Sequence, residues 1–341
     1  MRGLRYLGIV LTLVEVILVA SLVHGVSLAR ENAPACSVSP VHYLANTDNS
    51  AVISHVSSPK STYTSDDGYL AQRWGVDKIE APQAWQIAEG GQSIIVAVLD
   101  TGIDEDNRDL ADKLVTEVNF SNSTTSDDLY GHGTHMAGTI VAIAPECRLM
   151  NVKVADDAGR CQAAVVARGI ISAVDRGARV INVSLCMRSS PDLEEAVDYA
   201  WSQGAVIVAA AGNTGKSNPA YPAYYANCLA VASTDENDSL ALLSSHGDWV
   251  DLAAPGFNIY SELPQNQYGY KSGTSPAVAH VSGVAALVFT VAEDANGNGA
   301  VNDEVRQAIE NSCDSILADG VGNGRINAFQ AVMETTSSGP S

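Results

Sequence analysis

Four side chains stand at or beside glycine-bearing turns and together supply the parts of an acyl-transfer reaction: Asp100, His132, Asn213 and Ser275. Ser275 follows a Gly-Thr pair and opens a small, apolar run, Pro276 to Val288, that predicts a buried helix. The first turn of a helix has backbone N–H groups without intrahelical partners and the positive end of the helix dipole. A hydroxyl there meets surroundings suited to developing negative charge. Serine is a poor nucleophile unless a base takes its proton, and imidazole is suited to that task near neutrality. His132 lies within Gly131-His132-Gly133-Thr134-His135, ahead of a small-residue run. A base of this kind works best when a carboxylate fixes its tautomer. Asp100 directly follows the apolar run Ser93–Leu99, and the carboxyl end of a parallel strand is where open α/β sheets present functional groups. Asn213 follows the apolar run Ala205–Ala211 and Gly212, where its amide would donate to a tetrahedral oxyanion alongside the Ser275 N–H, with Thr274 in support.

Singly, each residue has a plainer use. Asp100 could cap a turn or bind a metal, His132 could be a helix-start residue, and Asn213 a turn former. Their joint presence, in this order and setting, is what points to catalysis.

The elements that must position these groups follow from hydrophobic patterning. Apolar runs predict buried strands at Ser93–Leu99, Arg148–Val154, Val180–Leu185, Ala205–Ala211, Leu229–Ala232 and Trp249–Ala253. Helices are expected at Ala163–Arg176, Asp192–Gln203, Ser275–Thr290 and Val301–Cys313, with Asn327–Met333 closing the fold. Tyr69–Glu89 predicts short helical turns, and 119–130 is polar and irregular. Strands alternating with helices place the chain in the α/β class, with a mostly parallel central sheet covered by helices on both faces. The loop at 291–300 brushes a calcium-loop pattern but lacks its carboxylates and terminal bidentate acid.

The segments V-L-D-T-G-I, G-H-G-T-H-M-A-G, A-A-G-N and S-G-T-S, in that order, resemble the subtilisin-like serine endopeptidases, most of all the thermitase-type members. D-K-I-E-A-P-Q-A-W, N-P-A-Y-P-A-Y-Y-A-N and V-A-S-T-D-E-N-D extend the likeness from Tyr63 to Val332. The resemblance implies a three-layer subtilisin-like fold over 63–335. It implies Asp100 as the orienting acid, His132 rather than His135 as the base, Ser275 as nucleophile and Asn213 as the oxyanion amide. It also implies an extended protein or peptide substrate, paired in β fashion with the backbone of Ser184 and Leu185. Cys186, Ala211 and Gly212 would border the pocket for the residue before the scissile bond, which would take an apolar or aromatic side chain.

Departures from that pattern bear on function. Ser184-Leu185-Cys186-Met187 stands where the family has S-L-G-G, so the pocket is narrowed, or closed with loss of activity. Pro276 follows the nucleophile, a position expected to be the first of the helix and tolerant of a missing N–H. The proline usual at position 279 is absent. The familial calcium loop is missing between Thr139 and Pro145, which leaves Asp67 and Asp109 as half a cage and Asp127-Asp128 as a looser alternative. No cofactor is required for the chemistry and no metal ligand set is assigned, while a structural calcium remains open.

The rest of the composition sets the context. Net charge is −20, with 39 acidic against 19 basic residues, which excludes nucleic acid and anionic membrane surfaces as expected partners. Arg2 and Arg5 followed by an apolar run and Ser27/Ala29 predict a signal peptide over 1–29. An uncleaved membrane anchor is the rival, and either places the remainder, as a monomer, outside the cytoplasm. Residues 30–62 form a linker or short pro-segment, and 336–341 a flexible tail. Cys36, Cys147, Cys161, Cys186, Cys228 and Cys313 lack zinc-site spacing, and sequence alone selects no disulfide pairing. Two rival functions stand beside an exported endopeptidase: an inactive peptide-binding or structural module, and an esterase. The residue order and the lack of G-x-S-x-G at Ser275 oppose the esterase.

Overall fold

A computed structural model describes residues 73–337 together with Cys36 and Ser37. The expected signal segment, nearly all of the linker, residues 63–72 of the expected peptidase domain and 338–341 lie outside the described residues. In chain order come β1 (Cys36–Ser37), α1 (Trp74–Lys78), α2 (Ala81–Ala84), β2 (Ile95–Asp100), β3 (Leu114–Asn119) and α3 (Gly133–Ile143). Next are β4 (Arg148–Lys153), β5 (Arg160–Cys161), α4 (Ala163–Asp175), β6 (Val180–Val183), α5 (Pro191–Ser202), β7 (Val206–Ala210) and β8 (Cys228–Thr234). The last are β9 (Leu252–Pro255), β10 (Ile259–Leu263), β11 (Gln267–Lys271), α6 (Thr274–Phe289), α7 (Asn302–Asn311) and α8 (Ala328–Ser337), so α8 takes in the first two residues of the expected tail.

Seven strands make the central sheet in the order β3-β4-β2-β6-β7-β8-β9, and every pairing within it is parallel. Successive residues of a strand point to opposite faces, and the two cores follow that alternation. Val96 and Val98 of β2 and Val206, Val208 and Ala210 of β7 enter one apolar cluster with α3, α6, α7 and α8. Ala97, Leu99, Ile207 and Ala209 enter the other, with α4 and α5. Helix, sheet and helix therefore form three layers, as the patterning predicts. α4 buries Val166, Ala167, Ile170 and Ala173, spaced as one face of a helix. α6 differs: all 16 of its residues are buried, because small side chains let it pass between α3 and the sheet.

β3 and the β10–β11 hairpin are additional to the elements expected, and one expected strand is displaced. β3 is an edge strand with half-exposed residues, too polar to register as an apolar run. The hairpin β10–β11 turns at Gln265 and Asn266, both with positive φ (64° and 56°), a turn that lacks the usual glycine signal. The strand expected at Trp249–Ala253 is displaced to Leu252–Pro255, because Trp249 lies in a turn and its indole donates to the Ser217 carbonyl.

Candidate active site

Parallel strands end at the same edge of the sheet, and three adjacent strands bring the expected chemistry there. β2 ends in Asp100, Ser184 follows the last residue of β6, and Gly212-Asn213 lies just beyond β7. With neighbouring strands about 4.8 Å apart, β2 and β7 are separated by about 10 Å along that edge. α3 and α6 begin at this edge and pack against each other on one face, with His132 at the N-cap of α3 and Ser275 in the first turn of α6.

Asp100 and His132 are in direct contact. The imidazole Nδ1 lies 2.8 Å and 2.9 Å from the two carboxylate oxygens, and both residues are buried. A carboxylate at Nδ1 favours the tautomer with its proton there, which directs the Nε2 lone pair outward. Asp100 is itself held by the Thr101 N–H at 2.7 Å. A side chain at Gly133 is excluded by packing, since a Cβ there would lie 2.0 Å from the Gly102 carbonyl. His135 takes no part: its Nε2 faces the carbonyls of Ile259 and Gly269, at 3.0 Å and 3.2 Å. Burial, aided by the Lys271 charge, pushes its pKa well down and keeps it neutral.

On the other side, Gly273 has φ 141°, and a Cβ there would lie 2.9 Å from the Asn213 amide nitrogen. That close approach lets the Thr274 N–H donate to Asn213 Oδ1 at 2.8 Å, joined by the Thr274 hydroxyl at 3.2 Å. A backbone donor fixes which end of the amide is oxygen, so Nδ2 is the opposite end. Ser184 Oγ donates to the Ser275 carbonyl at 3.1 Å, and Ser275 Oγ donates to the Ser184 carbonyl at 3.2 Å. Among the hydrogen bonds of the described residues, none joins Ser275 Oγ to His132. Pro276 is the third residue of α6 rather than its first, still within the turn whose N–H groups lack helical acceptors.

Beside Ser275 lies a cavity of about 260 Å³ whose lining includes Ser184, Cys186, Ala210, Gly212, Asn213 and Thr274. The Cys186 thiol donates to the Ala210 carbonyl at 3.4 Å and lies 3.5 Å from where a Cβ on Gly212 would be. It narrows the cavity without closing it. Ala210 and Gly212 are among the lining residues, whereas Leu185 and Ala211 are not.

Two positioning residues escaped sequence reasoning. Asp128, 1% exposed, accepts from Thr101 Oγ1, Thr134 Oγ1 and the backbone of Tyr130, Gly131 and Thr134, so it ties β2 to the turn bearing His132. Asn182 donates to Ser184 Oγ, which holds the Ser275 carbonyl at the start of α6, and accepts from Ser282 Oγ midway along that helix. The pair Asp127-Asp128, sitting just before a glycine turn, was the available signal for the first. The Asp109 carboxylate accepts the Tyr268 hydroxyl. Among the described residues, no group of three or more His, Cys, Asp or Glu is arranged to hold a metal ion.

The subtilase family profile matches residues 91–329. The chain is 45% identical to thermitase of Thermoactinomyces vulgaris over 285 residues, covering 79% of this chain and 99% of thermitase. It is 38% identical to the thermophilic serine proteinase of Bacillus sp. (strain AK1) over 324 residues, 91% of this chain and 76% of that protein. Subtilisin BL of Lederbergia lenta is 38% identical over 269 residues, 76% of this chain and 97% of its own.

Proposed function

The chain belongs to the subtilase family and is a serine endopeptidase; from that premise we propose which of its residues carry the reaction. Ser275 is the nucleophile. Its hydroxyl rotates from the Ser184 carbonyl toward His132 Nε2, which takes the proton as Oγ attacks the scissile carbonyl. Asp100 stabilises the imidazolium and keeps the ring in register. Asn213 Nδ2 and the Ser275 N–H donate to the oxyanion. The imidazolium then protonates the leaving amine, and water activated by the same Nε2 hydrolyses the acyl-enzyme. The observation that carries this assignment is the buried contact of His132 Nδ1 with both Asp100 oxygens. Apo enzymes often tighten the nucleophile–base contact only when substrate binds, which accords with the present Ser275 rotamer.

Substrates are proteins and peptides, lying extended beside Ser184, Leu185 and Cys186, with the side chain before the scissile bond in the cavity next to Ser275. The Asp100–His132 contact favours an active enzyme over a silent binding module, and the cavity beside Ser275 is open. Its narrowing at Cys186 favours small and medium apolar side chains over aromatic ones. The protein acts outside the cytoplasm as a monomer. Among the described residues no helix is long and apolar enough to cross a membrane. The chemistry itself uses no metal, and a bound calcium would serve stability alone.

The test is a fluorophosphonate label together with digestion of an unfolded protein, for wild type and Ser275→Ala. Labelling confined to Ser275, and cleavage lost in the variant, are expected. Cleavage that persists in Ser275→Ala would refute the assignment.

A further inference from the structure

One pair of cysteines is set face to face by the backbone. β1 and β5 form a separate antiparallel two-stranded sheet in which Cys36 is the register partner of Cys161, and Ser37 of Arg160. Residues directly opposite on antiparallel strands have Cα atoms about 4.5–5.5 Å apart, inside the span of roughly 4.4–6.8 Å that a disulfide bridges. The other described cysteines are placed differently. Cys228 faces Ile207 across β7–β8, Cys186 donates to the Ala210 carbonyl, and Cys313 donates to the Ile309 carbonyl. Cys147 is fully buried in the apolar cluster on the α6 side of the sheet, whereas Cys161 belongs to the cluster on the other.

We propose that Cys36 and Cys161 are joined by a disulfide in the exported protein, which fastens the N-terminal segment to the peptidase domain through β1. Disulfides persist outside the reducing cytoplasm, so the proposal depends on export, not on which residue is the nucleophile. The oxidant is a small disulfide. One cysteine thiolate attacks it, forms a mixed disulfide and releases one thiol. The second cysteine thiolate then displaces the other half. Two thiols lose two electrons and two protons, and the oxidant is reduced to two thiols. Gly159, two residues before Cys161, packs against the ring of Tyr130, which is two residues before His132. A backbone cut between Cys36 and Trp74 would then leave the N-terminal peptide attached to the enzyme.

The experiment uses the exported Ser275→Ala chain, which spares it self-digestion, equilibrated with oxidised glutathione. It is denatured with N-ethylmaleimide and no reductant, then digested with trypsin. The expected result is peptide 31–60 linked to peptide 161–168, separating on reduction. A Cys36→Ser chain is expected to show Cys161 fully alkylated. Alkylation of Cys161 in the parent chain, a link from Cys36 to another cysteine, or protection of Cys161 that survives Cys36→Ser would each overturn the proposal. An exported chain that begins after Cys36 would overturn it as well.

Discussion

Replacing Asn213 with alanine is expected to affect both catalysis and folding at one residue. Its Oδ1 is committed to the Thr274 N–H at 2.8 Å and to the Thr274 hydroxyl at 3.2 Å, so the amide is already ordered before substrate arrives. A preorganised donor aimed at an oxyanion contributes about 10²- to 10³-fold in kcat, or about 2.7–4 kcal/mol of barrier. Asn213→Ala is therefore expected to lower kcat by that factor and to leave KM within about threefold, because the interaction strengthens only as charge develops. It also strips an acceptor from a buried N–H in the first turn of α6, which costs about 1–3 kcal/mol of stability. Asn213→Asp splits the two effects: one carboxylate oxygen still accepts from Thr274, while the other replaces the donor with an acceptor. Its kcat should fall at least as far, with the melting temperature closer to wild type. Steady-state kinetics on a chromogenic peptide, corrected by active-site titration, gives kcat and KM; thermal unfolding gives the rest. A kcat for Asn213→Ala within threefold of wild type, or a loss confined to KM, would refute the reasoning.

Asp100→Asn leaves the ring contact but favours the wrong tautomer, so kcat should drop by about 10⁴; a loss under tenfold in the same assay would contradict the assigned role. Cys186→Gly widens the cavity, and kcat/KM for a peptide with phenylalanine before the scissile bond should rise about tenfold or more relative to alanine. An unchanged ratio would mean the thiol does not limit the pocket. His280 is buried with Nδ1 on the Pro276 carbonyl, and burial lowers its pKa to about 4. The unfolded chain therefore takes up that proton first. The stabilisation is complete above about pH 6.5 and is lost as pH falls toward 4, by at most about 3 kcal/mol. His280→Gln should flatten the stability profile between pH 7 and 5, and identical slopes in denaturant titrations would count against it. EDTA should leave the initial rate unchanged; a rate that collapses at once on chelation would contradict a metal-free mechanism.

Much of this fold was legible because its strands are buried on both faces. Runs such as Ile95–Leu99 and Val206–Ala210 are then apolar throughout and stand out from their surroundings. β3 and the β10–β11 hairpin were not, since each is half exposed and the hairpin turn is built from Gln265 and Asn266. The four reactive residues were visible as types beside glycines. Their support was harder to see: Asp128 also holds Thr101, 27 positions away, and Asn182 holds Ser282, 100 positions away. That Ala210 rather than Ala211 lines the cavity is a one-residue difference at the end of β7.

Because α6 is enclosed on every side, the Ser275 hydroxyl, the nucleophile in the proposed mechanism, rides on the part of the molecule least free to vary. A larger residue almost anywhere along that helix would disturb the interior before it altered selectivity. The stretches after β6 and β7 have no such restriction, since one flank of each borders open space. New preferences for cleavage can therefore arise by changing Cys186, Met187 or their neighbours while the nucleophile's platform stays as it is. In such an architecture, durability and choosiness are held by different segments of the chain and can be altered one at a time.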